Sequence, residues 1–371
     1  LVLAAALALP GAARAQEADS VEYFAPEGGA LARAGVTPYG DLRLRLERVQ
    51  DRPVPPGFDD RLDLARGILR FGLLRSPPGS WLSGEAGFRL TVGSDSAHDP
   101  WSKVLNENAE VLDVDRLGFR GSTRDGALTV SVGRQRSPIV LTEMLWDQDL
   151  RPVGVALTAR RDLAAVTTRL GAALFKRTGI PYIGDGGLVS PIQIAASFRE
   201  EAVSGAEIIV SWLRFKPDVE GQLIRQNATE EFVLPARGLI SDFDVLDVQL
   251  GMRAEPGGIP VSLRLDLARN VALDRDRDGI RVRLAVGGPG VPAGAELGWV
   301  FQRLEREATV GAFNSDDWWF HTLMRGHQIW ARVAARSWLE ARLAGFHEHL
   351  GSRSQATRRL TLELRARLPQ N

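Results

Sequence analysis

The segment Arg358 to Leu368, RRLTLELRARL, alternates without a break between apolar and polar side chains. Leu360, Leu362, Leu364, Ala366 and Leu368 take one set of alternate positions; Arg359, Thr361, Glu363, Arg365 and Arg367 take the other. A helix would spread both sets around its axis, whereas a two-residue period sorts them onto opposite faces of a sheet. The pattern recurs about sixteen times along the chain in runs of roughly ten residues, the length of a tilted membrane-spanning strand. Further examples are Leu42, Leu44 and Leu46 against Arg43, Arg45 and Glu47, and Ile280, Val282, Leu284 and Val286 against Arg281 and Arg283. No apolar run after the first ten residues reaches the ~20 residues a transmembrane helix needs.

Expected strand limits are 39–50, 61–74, 81–93, 111–121, 126–135, 152–161, 164–176 and 190–201, then 204–216, 242–254, 259–270, 279–288, 293–304, 325–337, 338–348 and 356–368. The connections test this independently. After even-numbered strands they are short and turn-like, as in Ser76-Pro77-Pro78-Gly79, Thr123-Arg124-Asp125-Gly126 and Glu255-Pro256-Gly257-Gly258. After odd-numbered strands they are mostly longer: 94–110, 136–151, 177–189, 217–241 and 305–324. Such parity is what an up-and-down barrel with periplasmic turns and extracellular loops requires, and a soluble sandwich gives no reason for it. The predicted fold is therefore all-β: a sixteen-stranded antiparallel up-and-down transmembrane β-barrel spanning residues 38–371.

Ahead of it, Leu1 to Pro10 is apolar, Gly11 breaks the run, and Ala13-Arg14-Ala15 is a small-x-small cleavage site. Residues 1–15 are expected to be a signal peptide trimmed at its start, and the small, acidic stretch 16–37 a periplasmic lead-in. The chain has no cysteine, hence no disulfide framework. Its 46 basic and 46 acidic residues balance, so nothing in the net charge points to nucleic acid. Among the nine Trp and three Tyr, Trp81, Trp212 and Trp338 fall near strand ends, where amphipathic rings favour the headgroup level.

The connection Arg136 to Arg151 is unusually apolar for an exposed loop, with Ile139-Val140-Leu141 and Met144-Leu145-Trp146, and it carries Glu143, Asp147 and Asp149. Such a surface seeks burial. Folding into the barrel satisfies it and sets the loop acids opposite basic residues of the wall, which narrows the lumen and creates a transverse field. An ordinary loop packed on the rim is the competing reading. On the phase of the strands, Arg43, Arg45, Arg89, Arg264, Arg281, Arg283, Arg332, Arg365 and Arg367 point inward with Glu47, Glu85, Asp266 and Glu363 among them, and the Arg excess favours anions. A one-residue slip would turn these charges to lipid at ~2–4 kcal/mol each, so the phase is well constrained.

The stretch LWDQDLRPVGVA, Leu145 to Ala156, and the later AFNSDD, Ala312 to Asp317, with Arg325-Gly326-His327 and the last three strands, resemble a family of bacterial outer-membrane porins of the general-porin type. The resemblance spans most of the chain. It implies a β-barrel conducting ions and small hydrophilic solutes passively, narrowed by its third extracellular loop, the position that 136–151 occupies. Under it Glu143, Trp146, Asp147 and Asp149 are the constriction residues, Trp146 as an apolar or sugar-stacking contact. It further implies a bacterial outer-membrane location, outer-membrane lipid and lipopolysaccharide as partners, a homotrimer by analogy, and no cofactor. One departure stands: such barrels often end in an aromatic residue, and this sequence ends Leu368-Pro369-Gln370-Asn371.

Other motifs are weaker. Asp274, Asp276 and Asp278 mimic the first half of a calcium loop, but its twelfth position would be Ala285 and arginines interleave the acids, so a solvated hairpin tip is favoured. His347 and His349 share a strand face with no third ligand evident, which favours a rim position over a metal site. No Gly-x-Ser-x-Gly elbow or Walker-type loop occurs. A barrel hydrolase with a site at the extracellular rim, or a non-conducting structural barrel, are the alternatives. A plugged transporter is disfavoured, since it needs about 22 strands and a plug.

Overall fold

The structure, a computed structural model, describes residues 34–53, 59–93, 111–176, 188–198, 205–216, 243–288, 291–315, 317–336, 338–351 and 354–367. The expected signal peptide, most of the lead-in, and connections 94–110 and 217–241 lie outside the described residues. The first eight strands are β1 (Val36–Gln50), β2 (Leu62–Arg75), β3 (Leu82–Gly93), β4 (Val111–Ser122), β5 (Leu128–Arg134), β6 (Val153–Leu163), β7 (Val166–Lys176) and β8 (Leu188–Phe198). The second eight are β9 (Gly205–Lys216), β10 (Asp244–Ala254), β11 (Val261–Asn270), β12 (Asp278–Gly287), β13 (Glu296–Leu304), β14 (Met324–Arg336), β15 (Leu339–Leu350) and β16 (Ala356–Arg367).

Each strand pairs antiparallel with its neighbours in sequence, and β1 closes the barrel on β16, with Arg43 opposite both Ile68 and Arg365. Closure removes every open edge, the only way a sheet satisfies its backbone in lipid. The two faces are inverted relative to a soluble protein: Leu44 is 46% exposed while its neighbour Arg45 is 7% exposed. Leu42, Leu46, Leu69, Leu73, Leu362 and Leu364 share the outward face. Trp81, Trp212 and Trp338 also point out, as expected of belt residues.

All sixteen expected strands are present, with shifted ends; β1 begins at Val36 rather than 39. Of the two positions where the alternation looked broken, Gly67 pairs in register with both Leu44 and Val92, and Leu304 is simply the end of β13. Register shifts instead occur in β14, between Ala334 and Arg336, and in β4. Gly87 pairs with Arg116 and Phe88 with Val114, which leaves Asp115 as a bulge residue. The extra residue brings both Asp115 and Arg116 to the buried interior.

Candidate functional site

β5 is the shortest strand, seven residues, and ends at Arg134. Just before the end, Gly133 adopts φ +121°, and a Cβ there would lie 2.3 Å from the Leu117 carbonyl oxygen. Only glycine allows this approach as the chain leaves the wall. The segment 135–152 then packs against the inner face of the barrel, and Ile139, Leu141, Met144, Leu145, Trp146 and Leu150 are all buried. Ile139 fits against Gly171 of β7, where an added Cβ would stand 2.5 Å from its Cδ1. The Trp146 ring lies between Phe175 (5.9 Å) and Phe313 (5.3 Å).

Inward polar residues satisfy the loop backbone. The Val140 N–H donates to Gln193 Oε1 (3.1 Å), and Gln249 Nε2 donates to the Val140 carbonyl (3.2 Å). Thr142 Oγ1 donates to Asp266 Oδ2 at 2.9 Å. These side chains from β8, β10 and β11 supply partners that a pairing strand would otherwise give.

The loop acids fix its two ends. Asp149 accepts from Arg70 Nη2 (2.7 Å) and Arg43 Nη1 (3.0 Å), on β2 and β1. Glu143 pairs with Arg281 on β12. Asp147 Oδ1 accepts the Asp149 backbone N–H at 2.6 Å and shapes the turn between them. The segment 143–149 thus runs across the lumen from the β12 wall to the β1–β2 wall. Behind it lies a dense ion cluster: Arg70 is also 3.5 Å from Asp41 and 3.9 Å from Asp115, and Asp115 is 3.3 Å from Arg116 and 3.6 Å from Arg151. Asp41 in turn lies 3.7 Å from Arg365.

The connection 305–323 enters as well. Phe313 O accepts the Asp147 N–H (2.5 Å), and the Ser315 N–H donates to Glu143 O (2.9 Å). Glu348 Oε2 accepts the Trp319 and Phe320 N–H groups at 2.8 and 3.2 Å. Asp317 reaches Arg45 (2.5 Å) and Arg342 (3.3 Å). Burial alone would raise its carboxyl pKa, yet the guanidinium groups of Arg45, Arg342, Arg43 and Arg359 hold it well below the usual carboxylate range.

The remaining inner surface is partly open along β12 to β16 and β1. Arg283 is 31%, Glu143 29% and Arg342 22% exposed, against 1% for Arg70 and Asp115. Arg332 bridges Glu296 (3.1 Å) and Glu340 (3.3 Å), with Arg283 3.7 Å from Glu296. Arg367 is 4.0 Å from Glu340, and Arg43 is 2.8 Å from Glu363. Arg283 and Arg342 both stack on Trp330, at 5.0 and 5.8 Å. Arginine therefore dominates this side, with Glu143 facing it from the loop.

Of the residues singled out from the sequence, Arg43, Arg45, Arg264, Arg281, Arg283 and Arg365 lie on the inner wall and pair with acids there. Arg89 faces Arg70 across the β2–β3 ladder and acts electrostatically on Asp115. Asp147, Asp149 and Trp146 are buried on the sealed side of the loop rather than at the open passage. Sequence reasoning missed Arg70, Asp115, Asp317 and Arg342. The adjacent polar pair Asp115-Arg116 in an otherwise alternating strand was a readable signal for a bulge. β2 carries apolar residues on both faces, so its phase gave no signal for Arg70.

Asp278 forms a bidentate pair with Arg269 (2.6 and 2.9 Å), and among the described residues no three or more His, Asp or Glu gather as a metal-binding cluster. His347 and His349 lie on the outer face with ring centroids 5.0 Å apart, and His327 pairs opposite His347.

No family model and no curated protein matches the sequence. Solved structures do. The high-pH structure of Pseudomonas putida OprB superimposes with a TM-score of 0.65 at 13% identity, covering 91% of this chain and 95% of that one. Its low-pH structure gives 0.57 at 12% identity, covering 91% and 94%. A mutant of Rhodopseudomonas blastica porin gives 0.51 at 12% identity, covering 90% of this chain and all of the other. At these identities the likeness is one of fold: the chain has the sixteen-stranded porin barrel.

Proposed function

We propose that the protein is a channel of the bacterial outer membrane that passes ions and small hydrophilic solutes passively down their gradients. The observation that carries this is the barrel's polarity, apolar outside and charged inside, with segment 143–149 tied across the lumen between Arg281 and the Arg43–Arg70 pair. The loop 136–151 acts as the constriction, with 305–323 packed beside it. Solutes travel along the β12–β16 and β1 side, past Arg283, Arg332, Arg342 and Arg43, with Glu143 and Asp317 opposing them. Arginine excess on that path favours anions. The protein is not an enzyme in this reading; it sits among outer-membrane lipid and lipopolysaccharide, and assembles as a homotrimer.

Single-channel conductance in a planar bilayer tests this, with the reversal potential under a salt gradient. Stepwise openings with anion preference are expected. A folded, inserted barrel that stays silent would overturn the reading in favour of a structural barrel, for which the packing of Trp146 on Phe313 between the two inward loops is the supporting observation.

A further inference from the structure

The register of β13 to β16 arranges their outward side chains in rows that run across the strands. Trp299, Ile329, Gly345 and Leu360 form one row. The next toward the extracellular end is Phe301, His327, His347 and Arg358, and above it stand Arg303, Arg325 and His349. Below the Trp299 row the outward residues are apolar, with Leu297, Leu343 and Leu362 all exposed. The surface thus passes from aliphatic to aromatic to basic over three rows, and His327 stacks on Trp299 (5.9 Å) and packs on Phe301 (5.2 Å) at the junction.

Height along the barrel locates the basic rows. Trp338, exposed at the turn end of β15, is nine residues from His347. At ~3.4 Å per residue and a tilt of ~40° that is about 23 Å along the membrane normal, close to the ~25 Å apolar band of such barrels. His347 therefore stands at the outer headgroup level.

Two of the basic groups are answered by acids: Arg303 by Glu305 (3.1 Å) and Arg358 by Asp51 (3.8 Å). Arg325, His327 and His347 face no carboxylate among the described residues, and the charged groups around His347 are His349, Arg358 and His327, all basic. Such a concentration of donors on neighbouring strands calls for an external anion. A metal would need a ligand cluster that the described residues do not form.

We propose that this patch binds the phosphorylated headgroup of the outer-leaflet glycolipid, with Arg325 pairing phosphate oxygens, His327 and His347 donating ring N–H bonds, and the acyl chains lying over Ile329, Leu343 and Leu360. The proposal rests on the outer-membrane reading but not on conduction, since these side chains lie on the wall opposite the lumen.

The test is native mass spectrometry of the folded barrel in neutral detergent with bisphosphorylated lipid A, with the same lipid after enzymatic dephosphorylation, and with lipid A plus excess inorganic phosphate. Retention of lipid A but not of its dephosphorylated form is expected, with free phosphate competing only weakly. The triple variant R325Q/H327Q/H347Q should weaken retention by about tenfold or more, the loss of one or two charge-assisted bonds, with unchanged single-channel conductance. Equal retention of the two lipid forms would overturn the site, as would a folded triple variant that binds lipid A like the parent. If the variant does not fold, the comparison of lipid forms on the unaltered protein decides. Lipid binding that persists in a barrel that does not conduct leaves the patch standing and removes the channel reading alone.

Discussion

Arg70 and Arg283 both occupy inward positions of the wall, yet they live in different media. Arg70 is 1% exposed, walled in by Asp41, Asp115 and Asp149 behind the loop, whereas Arg283 is 31% exposed, stacked on Trp330 with Glu296 nearby. The first is a structural ion in a dry compartment and the second a wetted group on the proposed path. Interaction between charges weakens as the effective dielectric rises, so the same residue type acts more strongly on stability in the first half than in the second. The loop makes this division; without it both walls would line one wide lumen.

The largest effect is expected where the dry half loses its central cation. Arg70→Met leaves three carboxylates facing one another and should cost ~3–5 kcal/mol, the usual range for breaking a buried pair. The loss appears as a lower urea midpoint for unfolding, and a loosened loop appears as larger, noisier conductance. A variant as stable as the parent would dissolve the distinction between the two halves. Next, Arg283→Gln with Arg342→Gln should move the reversal potential toward cation preference while lowering the unfolding midpoint less than Arg70→Met does.

A finer test separates acids of one loop. Glu143→Gln, at the open side, should shift selectivity toward anions with modest loss of stability. From the sequence, Asp147→Asn with Asp149→Asn was the natural choice for that shift. The structure buries both, so the double variant is expected to lower the unfolding midpoint far more than it moves the reversal potential.

The smallest effect concerns pH. In connection 305–323, burial raises the Glu307 carboxyl to about 7, with Arg306 opposing and Asp276 adding to the rise, while Asp317 is held low by its arginines. A raised carboxyl stabilises the fold below its unfolded value near 4.5, and that contribution is lost as pH climbs through about 7. A lowered one contributes above the ordinary carboxylate value and loses it only at still lower pH, so Asp317 is constant from pH 5 to 8. Protection factors around residues 305–311, corrected for the intrinsic pH dependence of amide exchange, should therefore be lower at pH 8 than at pH 5, and Glu307→Gln should remove that difference.

The barrel was legible because period-two patterning and loop parity are properties of the sequence itself, and charges facing lipid at ~2–4 kcal/mol each hold the phase. The inward loop was legible in outline for a similar reason, since Ile139, Leu141 and Met144 have no business in water. What escaped were choices made by three-dimensional partners. Asp149 meets Arg70, a residue 79 positions away in sequence, and Asp115 turns inward only because a bulge adds it to β4. Neither the depth of Asp149 nor the shallowness of Glu143 follows from alternation, because both belong to a segment with no strand phase at all.

The tie between Glu143 and Asp149 also has a mechanical meaning. Six residues of fully extended chain reach at most about 20 Å, so this strut sets an upper limit on how far the β12 wall and the β1–β2 wall stand apart. Thermal flattening of the cylinder into an oval along that direction would stretch two ion pairs at once, and the brace resists it. Strand number and loop length are therefore not independent dimensions of this architecture: a hairpin inserted between β12 and β1 would outgrow the brace unless the crossing segment lengthened with it.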